Sequence, residues 1–329
     1  MSKNISGINR LIFYKIGDKR ILLSGETHIP TFWCRNSTEI GKFVLDIVGK
    51  TPENTCIDIF LERHYKQQSA TVYAFNTGID QIADALEPSY DPFGITKMLG
   101  FYAKNTRQNL RIHQIDTRKF YGDDTSVFSW FEELYPGGQI SDEVSREDLE
   151  GAIDYLLTIN KKRNRKHFLK VFVETALEDV FFGKTRAKYI KAWEKKYFAL
   201  IEKELSKLDE STITRETLTT NIKQAYFDVE GDELRPGHTK SNRAQLTNIL
   251  AVIPEDLYVL TRLFIKFDKN SKGCTKSTID NVIIHTGSYH TEIYDRFLNL
   301  TFKVEPEVKV ENKNPSNLCL SVKEFNFWE

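Results

Sequence analysis

Long apolar runs are missing from this sequence. None approaches the roughly 20 residues that a helix needs to span a bilayer, so no membrane-spanning helix is expected. A surplus of either charge is missing too. Lys+Arg and Asp+Glu each number 46, and a chain with no net charge has no global attraction to nucleic acid or to an anionic membrane. Cysteine is scarce: Cys34, Cys56, Cys274 and Cys319 are scattered, with no Cys-x-x-Cys spacing. So few cysteines in so long a chain do not read as a disulfide scaffold. Cys56 and Cys319 fall in apolar, strand-like runs and are expected to be buried thiols. No apolar run follows Met1-Ser2-Lys3-Asn4-Ile5 to serve as a secretory signal, so the expected compartment is the cytosol. The Lys-, Asn- and Ile-rich usage suits an AT-rich genome, such as a viral one.

Several catalytic signatures are also lacking. The absence of a Walker A or Rossmann glycine pattern argues against nucleotide binding, and the absence of His-Glu-x-x-His against a zincin. Ser288 does not stand in a Gly-x-Ser-x-Gly elbow, which argues against a serine nucleophile.

The chain does hold an ordinary globular composition, 40% hydrophobic and 28% charged, with strand and helix patterns in alternation. Leu11–Ile16 and Arg20–Ser24 flank Gly17-Asp18-Lys19 and suggest a hairpin. Ile40, Phe43, Val44, Ile47 and Val48 recur at helical spacing, with Ser37 as a candidate cap and Gly49 and Pro52 as stops. Cys56–Leu61 is an apolar strand interrupted only by Asp58, and Leu110–Ile115 is a strand with alternating faces. Strands separated by helices predict an α/β fold, with a mainly parallel central sheet flanked by helices. His113, inside its strand, is expected to meet a helix.

Between about residues 125 and 265 charged helical segments dominate. They include an apolar stripe from Tyr189 to Leu205 and a basic run at 161–167, which reads more simply as a solvated helix face than as a phosphate site. Strand pattern returns at Asn281–His285, followed by an amphipathic helix through Ile293, Phe297, Leu298 and Leu300. A polar loop over Glu305–Asn317 and a closing strand at Leu318–Val322 complete the chain. The expected organisation is an N-terminal α/β half over 1–124, a helical insertion over 125–265, and a C-terminal half over 266–329 that completes the sheet.

Polar residues gather at four strand ends. These are Gly25-Glu26-Thr27-His28, Glu62-Arg63-His64, Asp116-Thr117-Arg118 and Gly287-Ser288-Tyr289-His290. The carboxyl ends of parallel strands line the ligand crevice of open sheets, so such groups can converge. The spacing of the two Gly-x-x-His corners is weak evidence alone. With 17 Gly and 7 His in 329 residues, 17 × 7 / 329 gives roughly 0.4 such pairs by chance. Placement directly after apolar strands, one near each end of the chain, says more. Singly, each group has a plainer reading: a hydrogen-bonded strand-end histidine, a capping Glu62, a loop ion pair Asp116–Arg118. His64, His113, His167 and His238 are read as structural.

Paired Gly-x-x-His motifs with an intervening Glu and an Asp-x-Arg element resemble the TraB/Tiki group of metalloproteases, which is related to the erythromycin esterase and ChaN-like proteins. The first corner, Gly25-Glu26-Thr27-His28, looks more like the start of the latter two branches. The likeness covers roughly residues 10–120 and 278–300. It implies a hydrolase, metal-dependent or not, that cleaves a peptide or ester bond in a peptide or small-molecule substrate. His28, Glu62 and His290 would hold a divalent Mn, Co, Zn or Fe, and Glu26 would be a further ligand or the general base. Arg118 would stabilise an oxyanion, with Asp116 orienting Arg118 or a histidine. Without metal, one histidine would be the general base for water. The ChaN-like branch implies a haem-binding protein instead, with Tyr289 at the porphyrin. A partner-binding protein whose site has degenerated is the third reading.

Overall fold

The computed structural model describes residues 2–26, 34, 36–52, 55–64, 110–116, 143–158, 201–229, 240–266, 278–314, 317–323 and 325–329. The chain divides into two units, Met1–Ile115 with Lys266–Glu329, and Asp116–Ile265.

The first unit is mixed α/β. The hairpin forms as β2 (Arg10–Ile16) and β3 (Lys19–Glu26), paired antiparallel. Its turn contains Gly17 at φ +58°, a left-handed conformation that glycine adopts without strain. The strands β5 (Ile57–His64) and β9 (Asn281–Gly287) join it, with β9 lying between β3 and β5 and parallel to both. The full order is β10 (Val308–Glu311), β2, β3, β9, β5, β6 (Leu110–Asp116). All of β9 is buried, as expected of a central strand covered on both faces.

Each face of this sheet has its own helix. α1 (Ile40–Gly49) contributes Ile40, Val44, Ile47 and Val48 to a core that includes Leu22, Ile59, Leu61 and Ile283. α5 (Ser288–Phe302) begins directly after β9 and packs back on β3 and β9, burying Ile293, Tyr294, Phe297 and Leu298. Full burial of one such side chain is worth about 1.5–3 kcal/mol, so a helix of this length is held by packing more than by propensity. Polar ties reinforce it. The Tyr14 hydroxyl donates to Asp295 at 2.6 Å, and Lys309 reaches the other Asp295 oxygen at 2.8 Å. Burial and the Asp295 carboxylate push the Tyr14 phenol far above its ordinary range.

A second sheet orders β11 (Cys319–Lys323), β1 (Ser2–Ser6) and β4 (Ser37–Glu39). Here the structure corrects several expectations. The segment 305–317 is not all loop, because β10 pairs with β2 and half-buries Val308 and Val310 as an edge strand. The closing strand pairs with β1 and not with the main sheet. Ser37 does not cap α1: Glu39 occupies that position, and the Ser37 hydroxyl bonds the Cys34 carbonyl at 2.7 Å. Cys319 is not a free thiol but is bonded to Cys34, 285 residues away. Cys56 is disulfide-bonded as well.

Among the described residues, the partners of His113 are strand side chains. Its imidazole faces Asp58, with Nε2 to Oδ1 at 2.7 Å, and stacks on Phe60. Arg111 completes the cluster through two bonds to Asp58, of 2.7 and 2.6 Å. The one acid in an apolar strand is thus fully buried with two basic partners. Burial alone would raise the Asp58 carboxyl. The His113 hydrogen bond and charge, with the Arg111 guanidinium, outweigh it and hold the group below its ordinary value of 3.8.

In the second unit, α2 (Arg146–Thr158), α3 (Arg215–Val229) and α4 (Arg243–Arg262) pack on one another. β7 (Glu143–Ser145) and β8 (Lys240–Asn242) form a two-stranded sheet. Tyr226 of α3 donates to the buried Asp256 of α4. The basic run 161–167 and most of the apolar stripe lie outside the described residues. Among the described residues, no helix is long and apolar enough to cross a membrane.

Two predictions follow from these buried ties. Asp58→Asn leaves Arg111 with an uncompensated buried charge and should lower stability by about 3–5 kcal/mol at pH 7. A carboxyl depressed in the folded state stabilises it above the unfolded pKa and loses that contribution as pH falls. The gap between wild type and variant in urea denaturation should therefore narrow below pH 3.8. An equal gap at pH 3 and pH 7 would contradict this. Cys34→Ser should cost about 2–5 kcal/mol by freeing a long loop in the unfolded chain. Thermal melts with and without reductant read that loss: reductant should lower the wild-type midpoint, and the variant should start lower.

Candidate functional site

The three parallel strands β3, β9 and β5 end side by side, and their last residues carry the polar groups. Register fixes which side each one faces. Ser24 pairs with His285, and Leu61 with His285 on the other flank. Side chains alternate along a strand, and laterally paired residues share a face. Ser24, Glu26 and His285 therefore lie on the α1 face with Leu61. Glu62, Gly25 and Thr286 lie on the α5 face.

On the α5 face, Glu62 is fixed at one oxygen. The Gly287 N–H, at the start of α5, donates to its Oε2 at 2.6 Å. A carboxylate there meets both an orphan amide and the positive end of the helix dipole. The other oxygen, Oε1, faces His290 Nε2 at 3.7 Å, with both side chains less than a tenth exposed. That separation exceeds a hydrogen bond. It suits two ligands bound at roughly 2.0–2.2 Å to one cation, or two acceptors sharing one water.

His290 reaches this position because α5 turns back so closely. A Cβ on Gly25 would lie 2.9 Å from Thr291 Oγ1 and 3.0 Å from Ser288 Cα. Gly25 thus serves close helix–strand approach. Gly287, at φ −59°, needs no glycine conformation, and its contribution is the amide. Ser288 donates to the Glu26 carbonyl at 3.0 Å and to the Asn9 side chain, which clamps the same turn to β3. Ser288 is thereby a packing residue, and Tyr289 stands edge-on to His290.

On the α1 face, His285 Nδ1 lies 3.0 Å from Ser24 Oγ, and His285 Nε2 lies 3.6 Å from Glu26 Oε2. Ser24 also donates to the Ile284 carbonyl at 3.3 Å, so it accepts from His285 Nδ1–H and leaves Nε2 toward Glu26. Ser24 is wholly buried.

The expected residues thus separate. Glu62 and His290 come together. Glu26 meets His285, which closes the strand pattern at 281–285 and was not among the candidate site residues. A signal for His285 existed, since Ser24 and His285 are the first polar residues after matching apolar runs, one and two positions before a glycine. His28 and Arg118 lie outside the described residues, as do the side chains of Asp116 and His64.

Gly25→Ala tests the close approach. Its Cβ meets backbone as well as the Thr291 side chain, so α5 must lift, at a cost of about 1–3 kcal/mol. Chemical denaturation reads the loss, and an unchanged midpoint would show that the first turn of α5 does not rest on β3. Compared with family models, with curated proteins and with solved structures, the chain matches none.

Proposed function

We propose that the carboxyl edge of β3, β9 and β5 is a hydrolytic site, of the kind the TraB/Tiki–erythromycin esterase resemblance implies, acting on a peptide or ester bond. The observation that supports it is the Glu62–His290 pair: an anchored carboxylate and an imidazole, nearly buried and 3.7 Å apart at a strand-end crevice.

The chain's own groups suit water activation. The Gly287 amide holds Glu62 in one rotamer, so Oε1 keeps its aim without reorganising. His290 is carried on the first turn of a packed helix, so its ring is equally fixed. A water in reach of both atoms can give its proton to His290 while Glu62 stabilises the imidazolium that forms. Low exposure strengthens that attraction relative to bulk water.

The donor set also fits a divalent metal. One imidazole nitrogen and one carboxylate oxygen are the usual ligand types, and their separation is right for a shared ion. Mn, Co, Zn or Fe held by His290 and Glu62, with His28 as the third ligand the resemblance implies, would lower the pKa of bound water. Because His290 Nε2 faces a carboxylate, the geometry favours hydrolysis over axial ligation of haem.

Purified protein should retain a divalent metal or hydrolyse members of an ester and peptide panel, and His290→Ala should reduce either property at least 100-fold. Glu62→Gln keeps an acceptor for the Gly287 amide but loses the charge, and should reduce activity equally with little change in melting temperature. Glu62→Ala should also lose stability, by about 1 kcal/mol. Full activity in folded His290→Ala and Glu62→Gln would place the site elsewhere.

A further inference from the structure

A groove in the first unit, away from the carboxyl edge, has the make-up of a second binding site. It runs between α1, the strands β1 and β11, and the segment 325–329.

Its floor is apolar and buried, formed by Ile5, Ile47, Val322 and Phe327. Its walls are aromatic. Trp328 is fixed by its indole N–H, which donates to the Ile47 carbonyl at 2.9 Å, so the ring offers an apolar face with its polar atom already satisfied. Phe325 stacks on Phe13 and tilts against Phe43, which holds a second and a third ring in place.

The rim is cationic. Lys3, Lys50 and Lys323 line it, against a single lining carboxylate, Asp46. Asp46 stands 3.8 Å from Lys3, which also lies over the Phe43 ring. That leaves Lys50 and Lys323 without an ion pair among the described residues. Asn326 adds an amide donor, its Oδ1 being taken by the Trp328 N–H at 3.1 Å.

An apolar floor, fixed rings and two uncompensated ammonium groups at one mouth specify a ligand with the reverse pattern. We propose that this groove binds an aromatic acid: one or two fused rings lying between Trp328 and Phe43, with a carboxylate or sulfonate at Lys50 and Lys323. Neutral rings of the same shape would leave the lysines unused, and small inorganic anions would leave the floor wet. The rings give the larger part of the binding and the lysines the selectivity. The groove shares no residue with the Glu62–His290 pair, so its occupancy is independent of hydrolysis.

The test uses the full chain with 1-anilinonaphthalene-8-sulfonate, read by its own fluorescence. Saturable one-site binding is expected, displaced by 2-naphthoate and at least ten-fold less well by the neutral 2-naphthamide. Lys50→Glu with Lys323→Glu, both exposed and unpaired, should weaken the probe at least ten-fold without moving the melting temperature, while His290→Ala should leave it unchanged. Non-saturable binding, equal displacement by naphthoate and naphthamide, or undiminished affinity in the double charge reversal would each overturn the proposal.

Discussion

The hydrogen bond from the Gly287 amide to the Glu62 carboxylate joins the two halves of the chain where the polar strand-end groups gather. Gly287 ends β9 and starts α5, and Glu62 belongs to a strand 225 residues earlier in the sequence. The bond satisfies an amide that the helix cannot satisfy itself, and it sets one carboxylate oxygen so that the other confronts His290. Everything nearby depends on that turn being tight. Gly25 leaves room for Thr291, and Ser288 reaches the Glu26 carbonyl. A bulkier residue at 25 or a weaker anchor at 62 would move His290 as a unit with its helix.

The edge that results has two sides. One carries Glu62 and His290 against α5, and the other carries Glu26, His285 and Ser24. Each side places an imidazole Nε2 opposite a carboxylate oxygen, 3.7 Å apart in one case and 3.6 Å in the other. Strand parity alone separates them, because residues 285 and 62 lie on strands that pair one residue out of step. Glu26 and Glu62, which look like one set in the sequence, belong in this way to two separate pairs. The pair on the α5 face has its carboxylate anchored by a main-chain amide, whereas the other has its histidine oriented by a buried serine.

Much of the framework was legible before the structure, where apolar periodicity was strong. The hairpin, α1, β5, β6, β9 and α5 all follow apolar runs such as Ile57–Leu61 and Val282–Ile284, whose continuity or period leaves few alternatives. The failures have physical causes. β1 holds one apolar residue in five, and β10 reads Val-Lys-Val-Glu, a half-exposed edge strand whose polar half resembles a loop. The Cys34–Cys319 bond joins positions 285 apart, and no spacing rule reaches that far. Asp58 looked like a blemish in an apolar strand because its partners, Arg111 and His113, stand on the neighbouring one. Strand-end position singled out Glu62 and His290, which the fold brings within 3.7 Å of each other. It could not assign Glu26 to His285, since that pairing depends on register.

In the proposed site Glu62 and His290 act together on one guest. Crystals of the full chain soaked in Mn²⁺, with anomalous data collected above the manganese edge, test that most directly. A peak within bonding distance of both Glu62 Oε1 and His290 Nε2, lost in His290→Ala crystals, is the predicted result. Ordered Glu62 and His290 side chains with neither a metal peak nor a water bridging them would contradict it.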